Sequence, residues 1–225
     1  MGVLNMIKVV CMGDSITEGF GVELSESYPS VLQNLLGEEY RVVNKGVCCT
    51  TTLNVENEKG VMGMPYMREA RYQEALQEKG DIYVVMLGTN DAQDGMDDMQ
   101  DFKYEQNDMI SRKADFVPCY RQILQAVKAA SPGAVIYAGL PIPVQNCIWR
   151  KHQESYLKEI RACIKEAAAA EGVSLLDIEG AFAALPKEEQ LKLYQEDNLH
   201  PNKEGYKLIA RTVAGVLKNK RHDFT

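Results

Sequence analysis

Residues 7–15 read IKVVCMGDS, an apolar, β-branched run that stops at Gly13 and passes directly into polar residues. Four more short apolar runs follow, at residues 40–44, 81–87, 134–138 and 173–176. Runs without polar alternation are typical of strands that are buried on both faces, as in a parallel sheet. The sequence therefore predicts five parallel strands.

Amphipathic stretches separate these runs. Their apolar residues recur at helical spacing from Tyr28, Met67, Val117, Tyr156 and Tyr206 onward, and each stripe predicts a helix that covers the sheet. Ser25 and Ser27 are candidate N-caps for the first helix. Since right-handed crossovers place helices on both faces, the alternation predicts an α/β fold with three α/β/α layers. Without an evident linker or repeat, residues 1–225 are predicted to form a single domain.

Composition narrows the classes of partner. A net charge of −7 without any block of basic residues argues against binding to nucleic acid or to an anionic membrane. No apolar run is long enough to span a bilayer. The first residues lack the pattern of a secretory signal, so a cytoplasmic location is expected.

The six cysteines show no spacing that is typical of a metal site. None forms a Cys-x-x-Cys pair, and no histidine accompanies them at zinc spacing. Cys11 lies within a predicted strand and Cys163 on an apolar helix face, which predicts reduced thiols in the core.

Three polar motifs directly follow or end the first three strands. They are Gly13-Asp14-Ser15, Asn44-Lys45-Gly46 and Gly88-Thr89-Asn90-Asp91. Ligands of an open parallel sheet bind beyond the carboxyl ends of its strands, so these motifs are expected to share one edge. A fourth motif, Asp197-Asn198-Leu199-His200-Pro201, precedes the last helix, which can return it to the same edge.

The residue types predict acyl transfer to water. Ser15 is the candidate nucleophile, and His200 is the candidate base that would take its proton. Asp197 can accept a hydrogen bond from one ring nitrogen of His200 and orient the other toward Ser15. The other histidines, His152 and His222, are expected in a surface helix and in a basic tail.

The tetrahedral intermediate of such a reaction needs hydrogen-bond donors for its oxyanion. The candidates are the backbone N–H of Ser15, the backbone N–H of Gly46 and the side-chain amide of Asn90. Gly46 could instead be an ordinary turn glycine and Asn90 a loop cap. Their shared position at the predicted sheet edge favours the catalytic interpretation.

Together the four motifs resemble the SGNH (GDSL-type) hydrolases. The matching blocks are residues 13–19, 44–47, 88–91 and 197–201. The resemblance implies a flavodoxin-like fold and a serine mechanism that needs neither metal nor cofactor. It implies Ser15 as nucleophile, Gly46 and Asn90 as oxyanion donors, and Asp197 and His200 as acid and base. Asp14 would be a structural residue that orients the nucleophile loop.

One departure from the family concerns Cys48 and Cys49, which stand where family members commonly carry Ser-Gly. Losing the glycine would stiffen the oxyanion loop. Both cysteines are interpreted as small filling residues, although an exposed thiol there would make activity sensitive to oxidation.

The resemblance favours a serine esterase that removes a short acyl group, most of all acetyl, from a carbohydrate or similar polar alcohol. The predicted partner is therefore a small-molecule ester, which is the substrate. The chain resembles the family subgroup that carries Gly-Thr-Asn-Asp and Asp-x-x-His-Pro-Asn, here at residues 88–91 and 197–202, and that includes carbohydrate O-acetylesterases. This subgroup also includes lysophospholipase-like and thioesterase members.

The acidic segment 92–112 is interpreted either as a lid, which its place after the third strand favours, or as a solvated loop. The lysophospholipase-like or thioesterase alternative would need an acyl groove from the apolar residues of this segment. They are Met96, Met99, Phe102 and Met109.

Two further interpretations remain open. Residues 141–144 and Trp149 would wall an acyl pocket or stack on a sugar ring, or else form a rigid proline loop with a surface tryptophan. A flavodoxin-like binding module without catalysis is the third class of function, but it would not need His200 or Asn90.

Overall fold

A computed structural model of the chain describes residues 6–54, 64–92, 109–145 and 153–219. The described strands are β1 (Ile7–Gly13), β2 (Tyr40–Gly46), β3 (Thr50–Thr51), β4 (Met64–Pro65), β5 (Ile82–Met86), β6 (Val135–Gly139) and β7 (Ser174–Leu176). Five of these strands form one parallel sheet in the order β2-β1-β5-β6-β7, and β3 pairs with β4.

Helices follow most of the strands of the large sheet. They are α1 (Ser15–Glu18), α2 (Tyr28–Leu36), α3 (Ala70–Gln77), α4 (Met109–Ala130), α5 (Gln153–Glu171), α6 (Ile178–Ala183), α7 (Lys187–Leu191) and α8 (Lys203–Asn219). Short 3-10 turns lie at Leu24–Glu26, Tyr66–Arg68 and Asn90–Ala92. No helix within the described residues is long and apolar enough to cross a membrane.

The sheet separates two buried cores, because successive residues of a strand point to opposite faces. On β1, Val10 and Met12 pack with residues of α3, α4 and α5, whereas Val9 and Cys11 pack with α2, α6 and α8. The predicted three-layer α/β/α sandwich with a five-stranded parallel sheet is therefore confirmed. The buried positions of Cys11 and Cys163 are confirmed as well.

Several local predictions need correction. Ser27 occupies the N-cap position of α2 but makes no side-chain capping bond, because its Oγ donates to the carbonyl of Leu24 at 2.8 Å. The helix expected from Met67 starts as a separate 3-10 turn, with Glu69 in extended conformation before α3. The β3–β4 pair and the short helices α6 and α7 carry no periodic apolar signal of sufficient length and were not predicted.

Two glycines allow α1 to pack directly on the ends of β1 and β2. A Cβ at Gly13 would lie 2.1 Å from Thr17 Oγ1, and a Cβ at Gly46 would lie 2.2 Å from the backbone nitrogen of Glu18. Larger residues would push α1 away from the sheet. This close packing brings Ser15, the first residue of α1, to the carboxyl edge of the sheet.

Candidate active site

Ser15 is presented by the turn between β1 and α1. Asp14 caps the helix, and its Oδ1 accepts a hydrogen bond from the Ile16 N–H at 3.0 Å. Such a cap fixes the direction in which the following residues leave the strand. Such a cap suits the structural role that the resemblance implies for Asp14, and this role stays a prediction.

The structure brings Ser15, His200 and Asp197 together, although the first two are far apart in the chain. Ser15 Oγ lies 3.0 Å from His200 Nε2, and His200 Nδ1 lies 2.6 Å from Asp197 Oδ2. Ser15 is 5% exposed, and the other two side chains are also largely buried. The distances suit transfer of the Ser15 proton to the imidazole while the carboxylate holds the ring.

Backbone hydrogen bonds hold the Asp197 carboxylate in place. Its Oδ1 accepts from the N–H groups of Leu199 and His200, each at 3.0 Å. Burial by itself would raise the pKa of Asp197, but the hydrogen bond from the His200 side chain and those two backbone bonds outweigh it and lower the pKa below its ordinary value. Asp197 is therefore ionised at neutral pH and can stabilise an imidazolium.

Asp14 has the opposite electrostatic environment. Burial raises the pKa of Asp14 to about 7, partly opposed by the Ile16 N–H and reinforced by the charge of Asp91. A hydrogen bond from the Thr89 side chain opposes this increase only in part. The carboxyl group therefore exists largely in the protonated form below neutral pH.

Asn90 lies in a 3-10 turn beyond β5 and is buried. Its Nδ2 donates to the carbonyl of Thr50 at 2.9 Å. The neighbouring Asp91 accepts from the N–H groups of Thr52 and Leu53, both at 2.9 Å. The third motif therefore holds the loop after the second motif, and this role of Asp91 was not predicted from the sequence. Its only sequence signal was an acidic residue in a loop expected to be at the sheet edge.

Gly46 lies at the same edge, but its N–H has a partner. It donates to Asn44 Oδ1 at 2.9 Å, and Asn44 Nδ2 donates to the Glu18 carbonyl at 3.2 Å. The Asn44 side chain thus ties the end of β2 to α1. To act as an oxyanion donor, Gly46 would have to exchange this bond, so the structure gives it a clear packing role and leaves the predicted catalytic role as a hypothesis.

The same residues match a known family. The model of the GDSL-like lipase/acylhydrolase family matches residues 11–208, which include all four motifs. The chain belongs to this family. An acetylxylan esterase from Xylanibacter ruminicola is 34% identical over 218 residues. The match covers 94% of this chain and 43% of that longer protein.

Solved structures share the fold of this family member. A lipase/acylhydrolase from Enterococcus faecalis superimposes with a TM-score of 0.67 at 23% identity, covering 96% of this chain and 97% of the other. A carbohydrate acetylesterase from Sinorhizobium meliloti gives a TM-score of 0.65 at 16% identity, covering 95% and 99%. At these identities the similarity establishes the fold alone.

The backbone at Cys48 and Cys49, where members of the GDSL-like family commonly carry Ser-Gly, has a conformation that is typical of glycine. Cys49 has a φ of 61°, in the left-handed region that glycine favours. The preceding Cys48 N–H donates to Glu18 Oε2 at 2.8 Å. The loop therefore keeps a glycine-like backbone although it carries a side chain.

Phe20 is a site residue that the sequence did not reveal. Its ring is 45% exposed and lies against the imidazole of His200. Its carbonyl accepts hydrogen bonds from Gln195 Nε2 at 2.8 Å and from Tyr206 Oη at 3.1 Å. Its position five residues after Ser15, just past α1, was the only available signal.

Other predicted residues either pack in the cores or lie outside the described residues. Ile142 and Val144 pack in the two cores, so the predicted pocket wall is wrong for these two side chains. Trp149, His152, His222 and residues 93–108 lie outside the described residues, as does the groove proposed there. In the described ranges, no group of three or more His, Cys, Asp or Glu side chains is placed to hold a metal ion. The metal-free mechanism stays a prediction.

Proposed function

We propose that this chain is a serine esterase that hydrolyses short-chain esters, chiefly acetyl esters, of a carbohydrate or similar polar alcohol. The observation that carries the proposal is the continuous hydrogen-bonded series from Ser15 Oγ through His200 to Asp197, with distances of 3.0 Å and 2.6 Å. Membership of the acylhydrolase family supports ester hydrolysis. The similarity to an acetylxylan esterase supports acetyl as the acyl group and a carbohydrate as the alcohol.

In the first half of the reaction, Ser15 Oγ attacks the acyl carbonyl carbon while His200 Nε2 takes its proton. Asp197 stabilises the resulting imidazolium. The imidazolium then donates its proton to the oxygen of the leaving alcohol, and the acyl group remains on Ser15. In the second half, water attacks the acyl-enzyme with His200 again as base, and the acid leaves.

The oxyanion of each tetrahedral intermediate is held by the Ser15 N–H and by the amide of Asn90. The Ser15 N–H lies at the start of α1, where backbone donors point outward. Gly46 contributes only if its N–H leaves Asn44.

The remaining parts of the proposal concern the setting of the enzyme. A single domain over residues 1–225, a cytoplasmic location and a small-molecule ester as the only class of partner all stay predictions. The matched relative is more than twice as long as this chain, so its activity and substrate serve here as support only.

The test compares kcat/KM for p-nitrophenyl acetate, butyrate, octanoate and palmitate, followed by release of acetate from acetylated xylo-oligosaccharides. We expect the acetate ester to be the best of the series and acetylated oligosaccharides to release acetate. The Ser15→Ala variant is the control for hydrolysis that does not depend on the site. If palmitate or lysophospholipid is the best substrate, the lysophospholipase-like alternative is correct.

A further inference from the structure

Cys48 and Cys49 bring two thiols together at the edge of the candidate active site. Their Sγ atoms are 3.4 Å apart. Cys49 is exposed and Cys48 is partly buried, whereas Cys11 and Cys163 are buried in the cores. The adjacent pair therefore combines solvent access with a second thiol in immediate reach.

The loop that carries this pair is tied to the site on both sides. On one side, the Cys48 N–H donates to Glu18 Oε2 at 2.8 Å, and Glu18 belongs to the helix that begins with Ser15. On the other side, the Thr50 carbonyl accepts from Asn90 Nδ2 at 2.9 Å. A change in the backbone between these two ties would move the groups that bind the oxyanion.

We propose that Cys48 and Cys49 form a redox-reactive dithiol, which a peroxide oxidises to a vicinal disulfide. Formation of this disulfide lowers the esterase activity because it displaces the loop of residues 48–50, which is hydrogen-bonded to Glu18 and to Asn90. The effect on activity rests on the proposed function. Closure of the disulfide does not, because it depends only on the two thiols and their geometry.

The chemistry proceeds in two balanced steps. The thiolate of the exposed Cys49 attacks one oxygen of hydrogen peroxide, the O–O bond breaks, and a sulfenic acid and hydroxide form, the latter taking up a proton as water. The Cys48 sulfur then attacks Cys49 Sγ, the S–O bond breaks, and a second water leaves with the Cys48 proton. Two thiols and one peroxide thus give one disulfide and two waters.

The order of the two sulfurs follows from their surroundings. Burial raises the pKa of the Cys48 thiol to about 12, with further contributions from Cys49 and Glu18. The thiolate is the reactive species toward peroxide. Cys49 is therefore oxidised first, and Cys48 is the resolving thiol.

The geometry favours a reversible bond over a permanent one. Neighbouring Cα atoms are about 3.8 Å apart, below the range of about 4.4–6.8 Å that disulfides usually span. The sulfur atoms must also approach from 3.4 Å to about 2.05 Å. Strained disulfides are the more easily reduced ones. Formation of the disulfide also restricts the backbone of Cys49, whose φ is 61° in the reduced chain.

The first experiment measures closure without using activity. The full chain carrying Cys119→Ser and Cys147→Ser is treated with hydrogen peroxide, and intact mass and peptide maps are recorded before and after dithiothreitol. We expect the loss of two hydrogen masses, located to the peptide with residues 48 and 49, and full recovery on reduction. Oxidation of Cys49 by added oxygen atoms alone would overturn the proposal.

The second experiment follows hydrolysis of p-nitrophenyl acetate by the same samples. We expect closure to reduce kcat by at least about tenfold, since loss of a single oxyanion donor costs about 10²–10³, and reduction to restore it. The matched control replaces the pair with Cys48→Ser and Cys49→Gly, the Ser-Gly that family members commonly carry. Its activity should be insensitive to peroxide.

The outcomes separate the two proposals. A disulfide that forms without changing kcat would overturn the control of activity. Absence of ester hydrolysis in the reduced protein would overturn the proposed function, while the mass measurement would still decide whether the dithiol closes.

Discussion

The ring of Phe20 lies against the imidazole of His200, with the ring centroids 4.4 Å apart and the planes inclined by 37°. An aromatic face this close to a histidine stabilises its protonated form through cation–π attraction. In the proposed reaction His200 becomes an imidazolium only as Ser15 loses its proton. Phe20 is therefore expected to act as a positioning residue that stabilises the transition state.

Replacing Phe20 with leucine should lower kcat by about 3- to 30-fold, which corresponds to a loss of about 0.5–2 kcal/mol. KM should change little, because the ring contact gains strength mainly in the transition state. The Phe20→Tyr variant keeps the ring and should restore most of kcat. Equal losses in the leucine and tyrosine variants would contradict the ring-based role.

Ser15→Ala should abolish measurable turnover, because it removes the hydroxyl that lies 3.0 Å from His200 Nε2. His200→Ala and Asp197→Asn should each lower kcat by about 10³-fold or more, since the members of such a triad act as a unit. Activity of the unmodified enzyme should rise with pH, because a protonated imidazole cannot accept the Ser15 proton. A fluorophosphonate probe with mass-spectrometric mapping should label Ser15. Labelling elsewhere would contradict the assignment.

Asn90→Ala should lower kcat by about 10²–10³ with a small change in KM, as expected for an oxyanion donor. It also leaves the Thr50 carbonyl without this hydrogen bond, which should cost about 1–3 kcal/mol of stability. Asp91→Asn is the matched control, because Asp91 holds the same loop without being proposed to touch substrate. Chemical denaturation and steady-state kinetics on both variants separate the effects. If both variants lost stability and kcat in the same proportion, Asn90 would have only the structural role of a loop cap.

Asp14→Asn should flatten the dependence of stability on pH. The pKa of Asp14 is raised from 3.8 to about 7, so the folded state holds a proton that the unfolded state has already released in this interval. The contribution of Asp14 to the free energy of unfolding is therefore largest below pH 3.8 and declines as the pH rises toward 7. The asparagine variant lacks this decline.

The free energy of unfolding, measured by urea titration at pH 5 and pH 8, should therefore differ less in Asp14→Asn than in the unmodified chain, by no more than about 3 kcal/mol. The exposed Asp115→Asn is the control and should leave that difference unchanged. An unchanged difference in the Asp14 variant would show that Asp14 is ionised in the folded protein throughout this range.

The sequence by itself determined the layers and the edge at which the motifs meet. Uninterrupted apolar runs place the five strands nearly at their observed bounds, for example residues 134–138 predicted against Val135–Gly139 found. For the inner strands this works because a strand that is buried on both faces must be apolar, as all five residues of β5 are, and this requirement is visible locally. The edge strands β2 and β7 are only partly buried. The longer helices were also recognisable, although α4 and α5 begin earlier than their apolar stripes.

The tertiary structure alone decided which groups at that edge touch one another. Phe20 and His200 meet because α1 packs on glycines at the strand ends while α8 returns the fourth motif to the sheet. The partner of the Gly46 N–H is a side chain two residues away, and no periodicity indicates this pairing. Contacts between loops depend on how closely separate elements pack, and that packing is a property of the whole fold rather than of any one segment.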